Sequence, residues 1–250
     1  MSSGRRWAGG LAIVAAFIWS AWSTEVSLGR LVEGVPFMID FVRRMLPPDL
    51  RVLGQALTGA LQTLQIAIAG TAVGALLALP VAFAAARNTA PRWVFYWTRS
   101  ALNAFRAIDT LVYALFFVAA VGLGPFPGVL AVVVYTATVL AKLYSEAIEA
   151  IDPRPVEGIR ATGARRIPEI MFGVLPQVVP LWSSFILYRL ETNVRSATTL
   201  GIVGAGGIGQ TLYESIRSFH YAETAAQMIV VIVTVVAIDL VSARLRKALV

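Results

Sequence analysis

Six long apolar runs constrain this chain more than anything else in it: residues 7–22, 57–86, 111–123 with what precedes them, 129–143, 178–190 with their continuation, and 222–241. Crossing a bilayer takes about 20 mostly apolar residues in a helix. In hydrocarbon each backbone N–H and C=O must find its partner within the protein, so only helices and closed barrels span. Barrel strands would alternate apolar and polar residues, and these runs do not. Charges interrupt the third and fifth runs, and the fifth is the weakest by hydropathy. With 58% hydrophobic and 14% charged residues, the chain lacks the side chains to clothe a soluble domain of its size. The expected fold is an all-α membrane protein with about six transmembrane helices.

The formal charge of +7 would suggest nucleic acid in a soluble protein, but its distribution argues for topology. Basic residues gather at Arg5/Arg6, Arg87/Arg92, Arg154/Arg160/Arg165/Arg166 and Arg244/Arg246/Lys247. An even number of runs separates each cluster from the next, so all four fall on one side. The positive-inside rule makes that side the cytoplasm and places both termini there. Between 25 and 55, Arg30, Arg43, Arg44 and Arg51 are offset by Glu25, Glu33, Asp40 and Asp49, as suits a periplasmic segment. The basic clusters lack interleaved aromatics, so a nucleic-acid partner is not expected. Cysteine is absent and His220 is the lone histidine, which excludes thiolate and multi-histidine metal sites. Arg5 and Arg6 before an apolar run invite a signal-peptide reading, but the run's length and its aromatic exit at Trp19 and Trp22 favour a retained anchor.

The organisation expected is an N-terminal transmembrane anchor over 1–27, a periplasmic connector over 28–56 and a transmembrane domain over 57–250. In the connector, Phe37, Phe41 and Val42 share a face at helical spacing, which predicts an amphipathic interfacial helix ending at Pro47-Pro48. The second run carries Gly70, Gly74, Ala78, Ala82 and Ala86 at every fourth position. Such a ladder lets another helix approach closely, within the bundle in preference to across a dimer face. Pro80 is expected to kink that helix.

Three segments carry site signals. The first is 157–176 (EGIRATGARRIPEIMFGVLP), a polar, glycine-punctuated island between apolar runs, where something soluble could dock. The second is Gly204-Ala205-Gly206-Gly207-Ile208-Gly209, which satisfies G-x-G-x-x-G and imitates a phosphate loop. That chemistry needs a strand before it and an acidic residue after it, and Gln210 stands where a phosphate-binding lysine should be. The glycines better suit non-helical backbone at membrane depth, lining a cavity or buried in protein, with amides able to meet an anion. The third is the charge within the fifth run: Arg189, Glu191, Asn193, Arg195 and Ser196. Intramembrane charges face a bundle interior or a water-filled pathway. Glu191 and Arg195, four apart, can pair on a helix, as can Arg189 and Asn193. A guanidinium freed of such duty offers forked donors to a tetrahedral oxyanion. Arg106 and Asp109, three apart in the third run, repeat the ambiguity.

Residues 157–176 resemble the loop by which ABC-importer permeases grip their ATPase subunits: Glu-Ala-Ala, three residues, Gly, nine residues, Ile, one residue, Leu-Pro. Glu157, Gly163, Leu175 and Pro176 fall in register, while Gly158, Ile159 and Gly173 replace the two alanines and the isoleucine. The wider run KLYSEAIEAID, VEGIRATGA, VLPQVVPLW, YRLETNVRSAT, GIVGAGGIGQ and YESIRSF is similar to the permeases of phosphonate-type ABC importers, a family that includes phosphite and some phosphate systems. The likeness reaches back through MLPPDL, TLQIAIAGT and VGLGPFPGVLA. It departs at Asp109, where relatives tend to carry proline, which puts a kink there in doubt.

The resemblance implies a type I ABC importer permease in the bacterial inner membrane, with a cytoplasmic coupling loop over 146–176. It further implies a homodimer, two copies of a separate ATPase and an extracytoplasmic binding protein. No cofactor is expected in the chain itself, ATP and magnesium being bound by the ATPase, and no catalytic or metal-ligating residue is assigned. Glu157, Gly158, Ala161, Gly163, Ala164, Leu175 and Pro176 become the ATPase-coupling residues. Arg106, Arg189, Glu191, Asn193, Arg195, Ser196, Gly204, Gly206 and Gly207 become candidates for a pathway or gate. The cargo expected is phosphonate, phosphite or phosphate. A permease of the same class for another small solute, and an ion-coupled secondary transporter, stand as the alternatives.

Overall fold

Backbone self-sufficiency makes each apolar run helical, and among the described residues of this computed structural model the regular elements are all helices. The structure describes residues 3–25 and 27–249, without the side chains of 3–9, 28, 248 and 249. The pair Arg5/Arg6 and Trp7, at the head of the first apolar run, therefore lie outside the described side chains.

The chain divides into two units, Met1–Leu46 and Pro47–Val250. In the first, α1 (Ser3–Ser23) is apolar from Gly10 onward. There α2 (Leu28–Arg44) starts at Ser27, whose hydroxyl accepts from the Arg30 amide at 3.3 Å. An Asp40–Arg44 pair at 2.8 Å, one turn apart, steadies its last turns. Phe37 and Val42 are exposed on it, as are most residues of the helix.

The second unit holds α3 (Leu53–Ala85), α4 (Arg92–Arg106), α5 (Thr110–Val121), α6 (Pro125–Glu149), α7 (Pro153–Ala161), α8 (Arg166–Pro168), α9 (Leu175–Leu200), α10 (Ile208–Arg217) and α11 (Tyr221–Leu249). Among the described residues four stretches are long and apolar enough to cross a membrane: Leu50–Ala85, Pro125–Glu149, Arg166–Val203 and Tyr221–Lys247. A fifth crossing exists only if α4 and α5, bent by 84° at their junction, count as one. In place of the expected six stand four candidate spans, the bent pair α4–α5 and the shorter apolar helix Gly10–Ser23. Hydropathy sees a run's composition but not the point at which its backbone turns.

Asp109 makes that turn. It is extended (φ −71°, ψ 153°), and its carboxylate accepts from the Leu111 amide at 2.8 Å, opening α5 as an N-cap. The Tyr113 hydroxyl donates to the Phe105 carbonyl at 2.8 Å across the corner. A bend therefore exists where the missing proline had put one in doubt, because a capping aspartate ends one helix and starts the next as effectively.

The ladder on α3 faces α6, the most extensively packed helix pair in the unit. A Cβ at Gly70 would overlap the Val132 side chain, and one at Gly74 would lie 2.9 Å from Thr136 Cβ. Ala78 and Ala82 continue the seam with no exposed surface. The small residues therefore serve packing inside the bundle. Toward the C-terminal ends of α3 and α6, Tyr144 stacks on Trp182 with centroids 4.5 Å apart, and Phe83 meets Trp182 edge-on. Pro80 sits within α3, which runs unbroken past it.

Candidate functional site

Beyond the C-terminus of α6 the chain leaves the bundle and returns as α9, and 150–176 is what it builds there. Asp152 caps α7: its carboxylate accepts from the Arg154 amide at 3.0 Å and pairs with the Arg154 guanidinium at 2.7 Å. That guanidinium holds the Asp152 carboxyl below its ordinary range. Gly163 ends α7 at φ +79°, a conformation rare for side-chain-bearing residues, and its amide donates to the Arg160 carbonyl at 3.0 Å. The chain then reverses through α8 and a π-helical turn, Glu169–Val174, into Leu175-Pro176 at the head of α9.

Two clamps hold this hairpin. Arg160 reaches Glu169 through a fork, Nε to Oε1 and Nη2 to Oε2, both at 3.1 Å. The bond keeps the Glu169 carboxyl below, and the Arg160 guanidinium above, their usual values. Gln177 accepts from the Asp152 amide at 3.0 Å and donates to the Asp152 and Gly173 carbonyls. Gly173 admits Val156, whose Cα would stand 3.1 Å from an added Cβ. That contact gives a reason for glycine where the resemblance expected isoleucine.

Glu157, Gly158, Ala161, Gly163 and Pro176 are exposed, while Ala164 and Leu175 are half-buried. Most of the predicted coupling residues thus present themselves outward on one protruding hairpin. Beside it lies a cleft of about 760 Å³ whose walls include Asn88, Glu149, Glu157 and Arg160. Its base is tied to the bundle by Glu149, which accepts from the Arg87 amide at 2.7 Å and from Arg99 Nη2 at 2.9 Å.

The charged stretch of α9 divides its labour. Glu191 and Arg195 do not pair with each other. Glu191 pairs with Arg246 at 2.6 Å and Arg195 with Asp239 at 2.7 Å, both on α11. Spacing alone allowed the local pair, but α11 packs on that face of α9 and offers opposite charges to both. Ser196 is half-buried beside them. Arg189 and Asn193 do come together, Nη2 to Oδ1 at 2.8 Å. The Asn193 amide then donates to Thr71 and Thr136 hydroxyls, each at 2.8 Å, so α9 is joined to α3 and α6. The Arg189 guanidinium lies 5.1 Å from the Tyr135 ring centroid. Arg106 is exposed at the end of α4 and lies within electrostatic range of Arg189. Among the described residues Arg106 forms neither a hydrogen bond nor an ion pair, and Asp109 has turned to its capping duty.

The glycine-rich segment is packed in protein at the far end of α9. Gly204, Gly206 and Gly207 have φ near +80°, and a Cβ at Gly209 would overlap the Thr198 carbonyl. The amides of Gly204, Ala205, Gly207 and Ile208 are used internally. Gly207 donates to Gln62 Oε1 at 2.7 Å and Ile208 to Thr63 Oγ1 at 2.9 Å. Gly204 donates to Gly201 and accepts from Gly124. The segment buries its backbone against α3 and the start of α6.

Sequence reasoning missed Thr71, Thr136, Gln177, Glu149 and Glu169. Thr71 and Thr136 lie 122 and 57 residues from Asn193, and nothing local marks them as its acceptors. The Arg160–Glu169 spacing of nine lay within the singled-out island, and Gln177 stands directly after its Leu-Pro, so both could have been asked about.

Over residues 70–250 the chain matches the family described as binding-protein-dependent transport system inner membrane component. It is 42% identical over 218 residues to the phosphite transport system permease protein PtxC of Stutzerimonas stutzeri, covering 87% of this chain and 79% of that one. To the phosphate-import permease protein PhnE of Mycolicibacterium smegmatis it is 36% identical over 235 residues, spanning 94% of this chain but 44% of that protein. Its fold is similar to that of a chain in the inward-facing MetNI methionine ABC transporter, with TM-score 0.71 at 21% identity over 80% of this chain and 98% of the other.

Proposed function

The chain belongs to the family of binding-protein-dependent transport system inner membrane components, and from that premise we propose that it is the permease subunit of an ATP-driven importer. Its cargo on this reading is a tetrahedral phosphorus oxyanion (phosphonate, phosphite or phosphate), the class named for its relatives.

The observation that carries the reading is the hairpin of 153–176, two short helices reversed at Gly163 and clamped by Arg160–Glu169 and Gln177. A multi-pass protein has no packing need for such a projection. Its rigid clamps and outward Glu157, Gly158 and Ala161 suit insertion into a groove on an ATPase subunit. ATP-driven closure of two ATPases would draw two such hairpins together and rock the attached helices, since Leu175-Pro176 passes directly into α9. A second copy of this chain and an extracytoplasmic binding protein complete the assembly. On this reading the hairpin and both termini lie on the cytoplasmic side, which the distribution of basic clusters supports. ATP and magnesium belong to the partner, and this chain performs no bond chemistry.

The test is ATP hydrolysis by the permease reconstituted in liposomes with its ATPase and binding protein, adding phosphonate, phosphite and phosphate in turn. Stimulation by one of them, abolished by Gly163→Pro, is expected. Uptake by the chain alone under an ion gradient, or failure to associate with any ATPase, would overturn the reading.

A further inference from the structure

A charge buried at membrane depth is costly unless it is paired. The chain observes this rule at the half-buried Glu191–Arg246, and it pairs the more exposed Arg195 with Asp239 as well. Arg189 breaks it. The residue is 7% exposed, its hydrogen-bonded neighbour is the neutral Asn193 amide, and its Nε–H is buried without a partner. Arg106 acts on it electrostatically and has the same sign. Among the described residues no carboxylate lies within ion-pair distance of either guanidinium.

The surroundings hold the positive charge in place without neutralising it. The two N–H donors of Asn193 go to Thr71 and Thr136, which forces its carbonyl oxygen toward Arg189. The reversed amide would set donor against donor. An aspartate fits the same space and would cancel the charge, yet the position holds asparagine. The ring of Tyr135 lies against the guanidinium and adds no net charge. Strong structural pairing is thus absent where the fold could have had it, and a donor remains open.

Resting on the oxyanion-importer reading above, we propose that Arg189, oriented by Asn193 and accompanied by the exposed Arg106, forms an oxyanion-binding station inside the helix bundle. The two guanidinium groups receive a tetrahedral phosphorus oxyanion released on the outer side and hold it by charge-assisted hydrogen bonds. Asn193 is a positioning residue, and its neutrality is the functional property. The same chemistry would attract the phosphodiester of a lipid headgroup, so the test must separate the two.

The permease–ATPase complex, without binding protein, is purified in a maltoside detergent and its thermal midpoint is followed against phosphite, phosphate and methylphosphonate, with chloride as the control for ionic strength. Uptake at saturating binding protein is measured in parallel for wild type, Asn193→Asp and Arg106→Gln. In Asn193→Asp the threonine hydroxyls can turn to donate to the new carboxylate, so the fold is retained and the arginine is neutralised. The expected result is a midpoint raised by an oxyanion but not by chloride. Both variants should weaken that response, and uptake, by tenfold or more while ATPase still co-purifies. Arg189→Met is less decisive, because it can unfold the seam. Uptake within twofold of wild type in both variants overturns the station and leaves the importer reading standing. Stabilisation by phosphatidylglycerol alone assigns the site to lipid and overturns it too. No uptake of any of the three oxyanions by the wild-type assembly sinks both readings.

Discussion

Gly163 offers the sharpest perturbation of the proposed ATPase contact, because its penalty can be worked from backbone alone. Its φ is +79°, and no heavy atom lies within 4 Å of where a Cβ would stand. An alanine would therefore meet no steric obstacle. It would carry only the left-handed backbone penalty, about 1–2 kcal/mol, or roughly 5- to 30-fold in the population of the hairpin's conformer. Docking that requires this conformer weakens by up to that fraction. Asparagine, which tolerates the region, should lose least, and β-branched valine more than alanine. Proline, fixed at φ near −65°, cannot take up this turn at all and also removes the N–H that reaches the Arg160 carbonyl at 3.0 Å, so it should abolish docking. Titrating the ATPase subunit onto the permease in lipid nanodiscs should thus give affinities in the order Gly, Asn, Ala, Val, Pro. Equal affinity across Asn, Ala and Val, or wild-type stoichiometry for Pro, would refute the link between this turn and docking.

Gly70→Val drives a branched side chain into Val132 across the α3–α6 seam. Overpacking of about 1–3 kcal/mol should lower the thermal midpoint in detergent, and an unchanged midpoint would deny that contact. Gly207→Ala places a Cβ 2.6 Å from Thr63 Oγ1 and should free the Ile208 amide that this hydroxyl accepts. Faster hydrogen exchange at 204–209 would report it, and exchange as slow as wild type would count against the buried-loop description. Glu169 and Asp152 have folded values below their unfolded ones, so their help to the hairpin is present above the ordinary carboxylate range, about pH 4, and fades as pH falls through the folded values. Protection of 153–170 from exchange should hold from pH 7 to 5 and drop on further acidification, less so in Glu169→Gln. A flat profile down to pH 3 would show the clamp to be idle.

How much of this was readable in advance varies by element. The ladder Gly70–Gly74–Ala78–Ala82 was legible because membrane helices approach closely only through small residues, and its partner proved to be α6. The Arg189–Asn193 couple was legible because four residues make one helical turn. The same rule failed at Glu191 and Arg195, since it lists candidates on a face without saying which helix will pack there. The glycine-rich run was legible as non-helical backbone packed in protein, but it was not legible that its Gly207 and Ile208 amides are taken up by Gln62 and Thr63 from α3, 145 residues away.

What the sequence determined by itself is the class: apolar length and backbone self-sufficiency leave only helices, and the polar island at 157–176 announces a surface meant for something outside the membrane. Tertiary structure alone decided the chemistry within. A single arginine at 189 reads the same whether a carboxylate meets it or not. Only the convergence of α3, α6 and α9 shows it bonded to Asn193, itself fixed by Thr71 and Thr136, all neutral. Charge compensation depends on distance through space, and a linear order of residues does not contain it.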